Sequence, residues 1–185
     1  MRLLLNPSTM STTRIPPKLE PYVRIPPKGS LTLLTSVLGA STNWLVLRFI
    51  YNALTAPLTA LDSPTTATKG DSNSSNEHTV LLTSFLRDKS FWVEGARRMG
   101  LDLGREETRR RWRFVDGLAL GGQGVTKELA LRRAGDGDAA RTVVVVDALD
   151  WLVAERGDEG GVEHWLGEIM STPVCNYMAA ISGIC

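Results

Sequence analysis

A run of four valines at residues 143–146 leaves few folds open to this chain. A strand that is apolar at every position is typical of a parallel sheet with helices on both faces, because neither of its sides meets water. Residues 30–36, 78–86 and 111–118 are also rich in apolar residues and predict three more strands. Segments with helical spacing alternate with these strands. We therefore predict an α/β domain in which a parallel sheet is flanked by helices.

Four helices are predicted between and after these strands. Their apolar residues recur at helical spacing over residues 42–56, 87–103, 125–135 and 161–170. Ser41 or Thr42 is expected to cap the first helix, and Gly100 to end the second. The glycine-rich residues 117–124 are interpreted as a loop.

The composition is that of an ordinary globular domain. The chain has 185 residues, of which 43% are hydrophobic and 22% charged, enough for one domain of usual size. A formal net charge of +1 argues against bulk attraction to nucleic acid or to a membrane surface. No apolar run reaches the roughly 18 residues that a bilayer span requires, so no membrane association is expected. Cys175 and Cys185 lack metal-ligand spacing, which favours a reducing compartment, the cytosol or the nucleus.

Three segments differ from the strand and helix pattern. Residues 1–29 contain the motif Ile-Pro-Pro-Lys twice and predict an extended N-terminal arm, because proline pairs force extended backbone. Residues 57–77 are rich in Ser, Thr and Asn and predict a flexible insertion. Residues 171–185 do not continue the pattern, and we expect an atypical tail there.

The loop between the first strand and the first helix has the position of a phosphate-binding loop but lacks its chemistry. It reads SVLGASTN, where a working loop reads G-x-x-x-x-G-K-[ST]. Ser36 and Ser41 replace the two glycines, and Gly39 lies at a position that the motif leaves free. Thr42 replaces the lysine that binds phosphate, and Asn43 replaces the hydroxyl that binds Mg²⁺. Nucleotide binding by this loop is therefore not expected.

Asp147 follows the valine run and has the sequence position of a Walker B carboxylate, which helps hold Mg²⁺ in working enzymes. Since the lysine and the metal-binding hydroxyl are both replaced, we interpret Asp147 as a structural remnant. Asp150 is a weaker candidate for the same role. His78 and His164 lie far apart in sequence, and neither has a nucleophile or metal ligand beside it. The sequence therefore predicts no catalytic residue, no metal site and no cofactor.

An arginine-rich segment, GREETRRRWRF, precedes the third strand. It places Arg109, Arg110 and Arg111 beside Trp112, and arginines next to an aromatic residue can bind RNA phosphates and stack on bases. A run of charges is also common on a solvated surface, and two glutamates in the segment offset part of its charge. RNA contact and an ordinary solvated surface are both compatible with this pattern.

Several segments together resemble subunit six of the fungal Elongator complex. They are GSLTLLTSVLGASTNWLVLRFIYNAL, VLLTSFLRDKSFWVEGARRMGLDL, RFVDGL and VVVVDALDWLVA, in this order within residues 14–170. The resemblance implies a RecA-like domain over residues 30–170 without intact Walker motifs. It also implies a heterohexameric ring with Elongator subunits four and five. That ring binds tRNA and hydrolyses ATP as an assembly, and the complex modifies wobble uridines in tRNA.

On this resemblance the chain is expected to be a non-catalytic structural subunit in the cytoplasm and the nucleus. Its expected partners are subunits four and five, the rest of the Elongator complex, and tRNA through the assembled ring. The tail departs from the family pattern, and a RecA-like sheet without its final strands would expose an unpaired edge. Two alternatives remain. One is an active nucleotide-binding RecA-type ATPase that recruits Lys28 or Lys127. The other is a DNA-recombination paralogue, which the near-neutral charge disfavours.

Overall fold

The computed structural model describes residues 18–25, 29–37, 40–55, 78–121, 124, 125, 127, 142–156, 164, 167 and 175–181. Its strands are β1 (Leu31–Thr35), β2 (Thr79–Ser84), β3 (Trp112–Asp116), β4 (Thr142–Asp147) and β5 (Cys175–Ile181). Its α-helices are α1 (Asn43–Thr55), α2 (Lys89–Arg98), α3 (Leu103–Thr108) and α4 (Leu149–Arg156). The predicted flexible insertion and the helix predicted at 125–135 lie almost wholly outside the described residues.

The five strands form one parallel sheet in the order β1-β5-β4-β2-β3. The four strands predicted from the sequence correspond to β1, β2, β3 and β4, so the parallel α/β prediction is confirmed. The tail predicted at residues 171–185 needs correction, because residues 175–181 form β5 between β1 and β4. This strand is hard to recognise from its sequence, since it contains Asn and two Ala, which are depleted in strands.

The centre of the sheet is buried on both faces, as the valine run predicts. All six residues of β4 are buried. Successive strand residues point to opposite faces, and Val143 and Val145 pack in the cluster that contains α1 and α2. Val144 and Val146 therefore face the other side, where they are buried as well. This double coverage fixes the carboxyl end of β4 inside the protein.

The segment predicted as one helix at residues 87–103 forms two. The Asp88 carboxylate accepts a hydrogen bond from Phe91 N at 2.9 Å and caps α2. Gly100, with φ of 82°, follows the end of α2, and the prediction that it ends this helix is confirmed. The Asp102 carboxylate then caps α3 by accepting a hydrogen bond from Arg105 N at 3.1 Å.

The glycine-rich residues 117–124 were expected to form a loop, but residues 117–121 are helical. The Asp116 carboxylate accepts a hydrogen bond from Ala119 N at 2.9 Å and so caps this turn. Gly117 is needed there because a Cβ atom would lie 2.7 Å from the Phe85 ring and 2.9 Å from the Ser84 carbonyl oxygen. The glycine thus permits close packing at the end of β2 rather than a flexible loop.

The described part of the N-terminal arm is not fully extended. Residues Glu20–Val23 form a single 3-10 turn. The Val23 side chain is buried, and its carbonyl oxygen accepts a hydrogen bond from Asn52 Nδ2 of α1 at 2.8 Å. The proline-rich segment therefore packs on α1 at this point, while residues 1–17 lie outside the described residues.

Candidate functional site

The degenerate phosphate loop leads from β1 into α1, and Gly39 lies outside the described residues. The Thr42 carbonyl oxygen accepts hydrogen bonds from Leu45 N at 2.9 Å and Val46 N at 3.0 Å, so the helix begins where the motif alignment predicts. Ser41 Oγ accepts a hydrogen bond from Asn43 N at 3.2 Å. The Thr42 side chain is buried. The residue at the lysine position is therefore too short and too enclosed to reach a phosphate.

Asp147 ends β4 beside Ser84, its partner in the register with β2. The Asp147 side chain is completely buried, at 0% exposure. Ser84 Oγ donates a hydrogen bond to Asp147 Oδ2 at 2.8 Å. Arg87 Nη1 donates to both carboxylate oxygens, at 3.2 Å and 3.1 Å. The Walker B position thus carries a buried carboxylate with a protein cation bound to it.

The same arginine also contacts the first residue of α1. The amide of Asn43 satisfies its neighbours when its oxygen faces Arg87, an orientation assigned from the hydrogen-bond network. In that orientation Asn43 Oδ1 accepts from Arg87 Nε at 3.1 Å, from Arg87 Nη2 at 3.2 Å and from Ser41 Oγ at 2.8 Å. A single guanidinium therefore joins the residue at the metal-hydroxyl position to the residue at the Walker B position.

Arg87 is held from several sides. Its backbone N–H donates to Ser84 Oγ at 3.0 Å, and its guanidinium carbon lies 5.3 Å from the centre of the Phe91 ring. The side chain is only 19% exposed. These contacts hold the Arg87 guanidinium against Asp147 and leave its side chain little room to change rotamer.

Burial raises the pKa of Asp147 above its usual value, because the charged carboxylate is separated from water. The hydrogen bond from Ser84 and the charge of Arg87 act in the opposite direction, and Asp150 adds a smaller increase. Ala148, the next residue, has φ of 59°, a left-handed conformation that is unusual for alanine. The strand end therefore combines a poorly solvated acid with a strained backbone, as functional sites often do.

The geometry places a protein cation where a working phosphate-loop enzyme holds its metal ion. In a working phosphate-loop enzyme, the loop hydroxyl and the Walker B carboxylate hold Mg²⁺. Here the corresponding residues, Asn43 and Asp147, both bind the Arg87 guanidinium. A divalent cation between them would have to displace a buried arginine. Among the described residues, no group of three or more His, Cys, Asp or Glu side chains is arranged to hold a metal ion.

Neither Arg87 nor Ser84 was predicted from the sequence to belong to a site. Ser84 orients Asp147 and accepts a hydrogen bond from the Arg87 backbone. The sequence gave only a weak indication that these two residues belong to the site. Ser84 and Arg87 follow directly on a buried strand, and polar residues at such strand ends meet at one edge of a parallel sheet.

The arginine-rich segment separates into two parts, and the RNA-contact prediction is wrong for Arg111 and Trp112. Trp112 is the first residue of β3 and is 0% exposed, so no base can stack on it. Arg111 Nη1 donates to Glu106 Oε2 at 2.8 Å, and Arg111 Nη2 donates to the Leu54 carbonyl oxygen. These residues fasten β3 to α3 and α1.

Arg109 and Arg110 remain at the surface. Both residues are exposed, and Arg109 Nη1 lies 3.8 Å from Glu106 Oε1, a loose ion pair. Arg110 has φ of 61° at the turn between α3 and β3. These two predicted RNA-contact residues are therefore accessible to a partner.

Comparison with known proteins gives structural similarity only. No protein-family profile matches the chain, and no curated protein sequence matches it. Among solved structures, a KaiC-like protein from the hyperthermophilic archaeon Pyrococcus horikoshii matches with a TM-score of 0.61 and 12% sequence identity. The match covers 85% of this chain and 64% of the archaeal chain, so our chain corresponds to less than two thirds of that protein.

Within the described residues, no helix is both long and apolar enough to cross a membrane. The parallel sheet, its covering helices and the archaeal match agree on the architecture. The chain has a RecA-like fold in which the loop after β1 and the end of β4 are joined by Arg87.

Proposed function

We propose that the chain is a non-catalytic structural subunit of the Elongator complex. In this proposal it forms a heterohexameric RecA-like ring with Elongator subunits four and five, and the ring supports modification of wobble uridines in tRNA. The resemblance of four segments to subunit six of fungal Elongator suggests this role. The RecA-like fold is compatible with it.

The bridge formed by Arg87 is the observation that carries the non-catalytic part of the proposal. Both side chains that correspond to metal-holding groups bind this guanidinium instead. The phosphate-binding lysine is also replaced, by the short and buried Thr42. A site that has lost its lysine and contains its own fixed cation does not favour Mg·ATP.

Exposed apolar side chains support an interaction with other subunits. Parallel strands all end at the same edge of the sheet, which we call the carboxyl edge. Several large apolar side chains that lie on the loops and first helical turns after these strand ends are exposed: Val37, Trp44, Leu86, Phe91, Leu118 and Leu120. Apolar residues that collect at one edge of a domain suit a surface that another protein covers.

Co-expression with Elongator subunits four and five, followed by light scattering of the purified material, tests the ring. We expect a stable assembly of six chains. Recovery of this chain as a monomer, alongside an assembly of the other two subunits, would contradict the proposal.

Nucleotide binding by the isolated chain tests the non-catalytic part. We expect titration calorimetry to detect no tight binding of Mg·ATP. Tight binding that is lost in Asp147→Asn would instead favour an active RecA-type ATPase, because it would show that the Walker B carboxylate holds a metal.

A further inference from the structure

We propose that two copies of this chain form a two-fold symmetric dimer through the outer edge of β1, the side of this strand that faces away from β5. In this dimer the β1 strands of the two copies pair antiparallel, so the two sheets become one continuous sheet. The inference concerns the chain alone and does not depend on its proposed function.

The outer edge of β1 has no strand beside it among the described residues. β1 is the first strand in the order β1-β5-β4-β2-β3 and pairs with β5 on its inner side. A strand in this position presents backbone N–H and C=O groups to which a further strand can bond. The register with β5 is continuous from Leu31 to Thr35, so no bulge turns the edge away from an incoming strand.

β1 lacks the charges and prolines that commonly protect the edge of a sheet. Residues 29–37, which include β1 and both of its flanks, contain no charged residue and no proline. The strand at the opposite edge, β3, contains Arg113 and Asp116. A charged side chain on an edge strand opposes further pairing, so β1 is the edge at which the sheet can be extended.

Two leucines leave one face of β1 apolar and partly uncovered. Leu31 is 39% exposed and Leu33 is 52% exposed. Successive side chains of a strand point to opposite faces, and Leu34, on the other face, packs against the hydrophobic core. An edge that is unpaired and also has exposed apolar side chains is a typical site of association with another strand.

The charge pattern favours a second copy of this chain as the occupant. A partner strand with charged side chains would find no charge of opposite sign on residues 29–37. A second β1 brings no charge to the contact, so no charged group has to be desolvated and no like charges meet. Closed two-fold dimers are also the commonest assemblies of identical chains.

A two-fold axis perpendicular to the sheet brings the exposed leucines together. It makes the two β1 strands antiparallel and places the faces that carry Leu31 and Leu33 on the same side. An axis parallel to the strands would place these faces on opposite sides. With the axis at Leu33, the two Leu33 residues lie opposite each other, and Leu31 of each copy lies opposite Thr35 of the other. Directly opposite side chains have Cβ atoms about 4.5–5.5 Å apart, which is close enough for contact.

Sedimentation of the full chain over a wide range of protein concentration tests the dimer. Pairing through one short strand is a small contact, and small interfaces are weak, so we expect monomer and dimer to exchange on dilution. The average mass should rise from one chain to two and no further, because a closed pair uses both free edges. A mass of one chain at every concentration, or growth beyond two chains, would overturn the proposal.

Amide hydrogen exchange distinguishes strand pairing from a contact made by side chains alone. The outward N–H groups of β1 gain partners in the dimer, so exchange in residues 31–35 should slow as the protein concentration rises. Exchange in β1 that is the same in monomer and dimer would reject pairing through this edge.

Leu33→Lys places two like charges opposite each other across the axis and should weaken association by about tenfold or more. The variant should fold as the wild type does, because the Leu33 side chain is half-exposed. Leu118→Lys is the matched control, since it makes the same change at a residue of similar exposure, 56%, outside β1. Association that is unchanged in Leu33→Lys, or weakened equally in Leu118→Lys, contradicts the proposal.

A mixture of two variants tests the register. Leu33→Glu alone should also be monomeric, because its carboxylates would lie opposite each other. When Leu33→Lys and Leu33→Glu chains are mixed, opposite charges meet across the axis, so we expect a mixed dimer that salt weakens. Fluorescence anisotropy with one of the two chains labelled detects this dimer. A mixture that stays monomeric would show that the two Leu33 residues do not face each other, and would reject the two-fold pairing.

Assembly with Elongator subunits four and five keeps this inference distinct from the proposed function. A dimer of the isolated wild type, together with normal ring assembly of Leu33→Lys, supports both. A dimer of the wild type without any ring contradicts the ring proposal alone. If the isolated wild type is monomeric and Leu33→Lys fails to enter the ring, the edge of β1 binds another subunit and the dimer proposal is overturned.

Discussion

Replacing Arg87 by methionine removes the cation that joins the phosphate-loop position to β4. Methionine keeps an apolar side chain beside the Phe91 ring, so the main loss is the charge and its hydrogen bonds. Asp147, at 0% exposure, would retain the hydrogen bond from Ser84 Oγ but lose its ion pair. The variant therefore leaves a buried carboxylate without its charge partner.

The expected loss of stability follows from burial. Removing one partner of a buried ion pair typically costs about 3–5 kcal/mol. The Arg87 side chain is 19% exposed, so water can partly replace it, and we expect a value near the lower end of that range. With a urea dependence of about 1–3 kcal/mol per molar, a loss of about 3 kcal/mol lowers the unfolding midpoint by at least 1 M.

The stability lost in Arg87→Met should depend on pH. The pKa of Asp147 determines whether this loss grows or shrinks as the pH rises. Burial raises this pKa in the folded protein, so the folded state favours the protonated acid. The stability that comes from protonated Asp147 is therefore lost as the pH rises through the pKa of the folded protein. Without Arg87, an opposing influence is removed and the pKa rises further. The difference in stability between wild type and Arg87→Met should therefore be largest at neutral pH and smaller in acid.

Urea unfolding followed by tryptophan fluorescence at pH 7 and pH 5 measures this difference. Arg98→Met is the control, because it breaks the exposed pair with Glu94 on α2, and we expect no measurable change. The double variant Arg87→Met/Asp147→Asn should be more stable than Arg87→Met alone, since the buried charge is then absent. An unchanged midpoint for Arg87→Met, or a loss that does not vary with pH, would refute the reasoning.

Three further outcomes test other parts of the structure. Trp112→Ala should lower the free energy of unfolding by about 3–5 kcal/mol, measured by urea unfolding, because the side chain fills the core and does not act as an RNA platform. Gly117→Ala should lower the thermal midpoint, by the equivalent of about 1–3 kcal/mol, because its methyl group would meet the Phe85 ring at 2.7 Å. Leu86→Lys, at an exposed position of the carboxyl edge, should weaken assembly with Elongator subunits four and five in light scattering while the isolated chain unfolds as before.

Local patterns were sufficient to predict most of the sheet. The valine run predicted a strand covered on both faces, and β4 is buried throughout. Gly100 marked the end of α2. These features depend on residues close in sequence, which is why periodicity and turn chemistry reveal them.

Features that depend on distant residues could not be predicted in this way. Arg87 and Asp147 are 60 residues apart in sequence, and only the pairing of β2 with β4 brings them together. In the arginine-rich segment the sequence suggested a ligand contact that the fold does not allow. Trp112 is buried because it is the first residue of β3, and this position could not be recognised from the segment alone. Charge and aromatic content alone cannot separate a residue that fastens the core from one that meets a ligand.

Under the proposed non-catalytic role, Arg87 also explains how the end of β4 keeps its shape without a bound metal ion. A buried carboxylate at the end of a central strand is unfavourable unless a cation and hydrogen-bond donors compensate it. A metal-binding protein gains that compensation only while its metal is bound, so its stability varies with the concentration of the ligand. In this chain the cation is covalently part of the protein and also contacts Asn43 at the start of α1. The contacts of Arg87 therefore hold the end of β4 and the start of α1 together without an added ligand, which is the property that the proposed structural ring subunit would require.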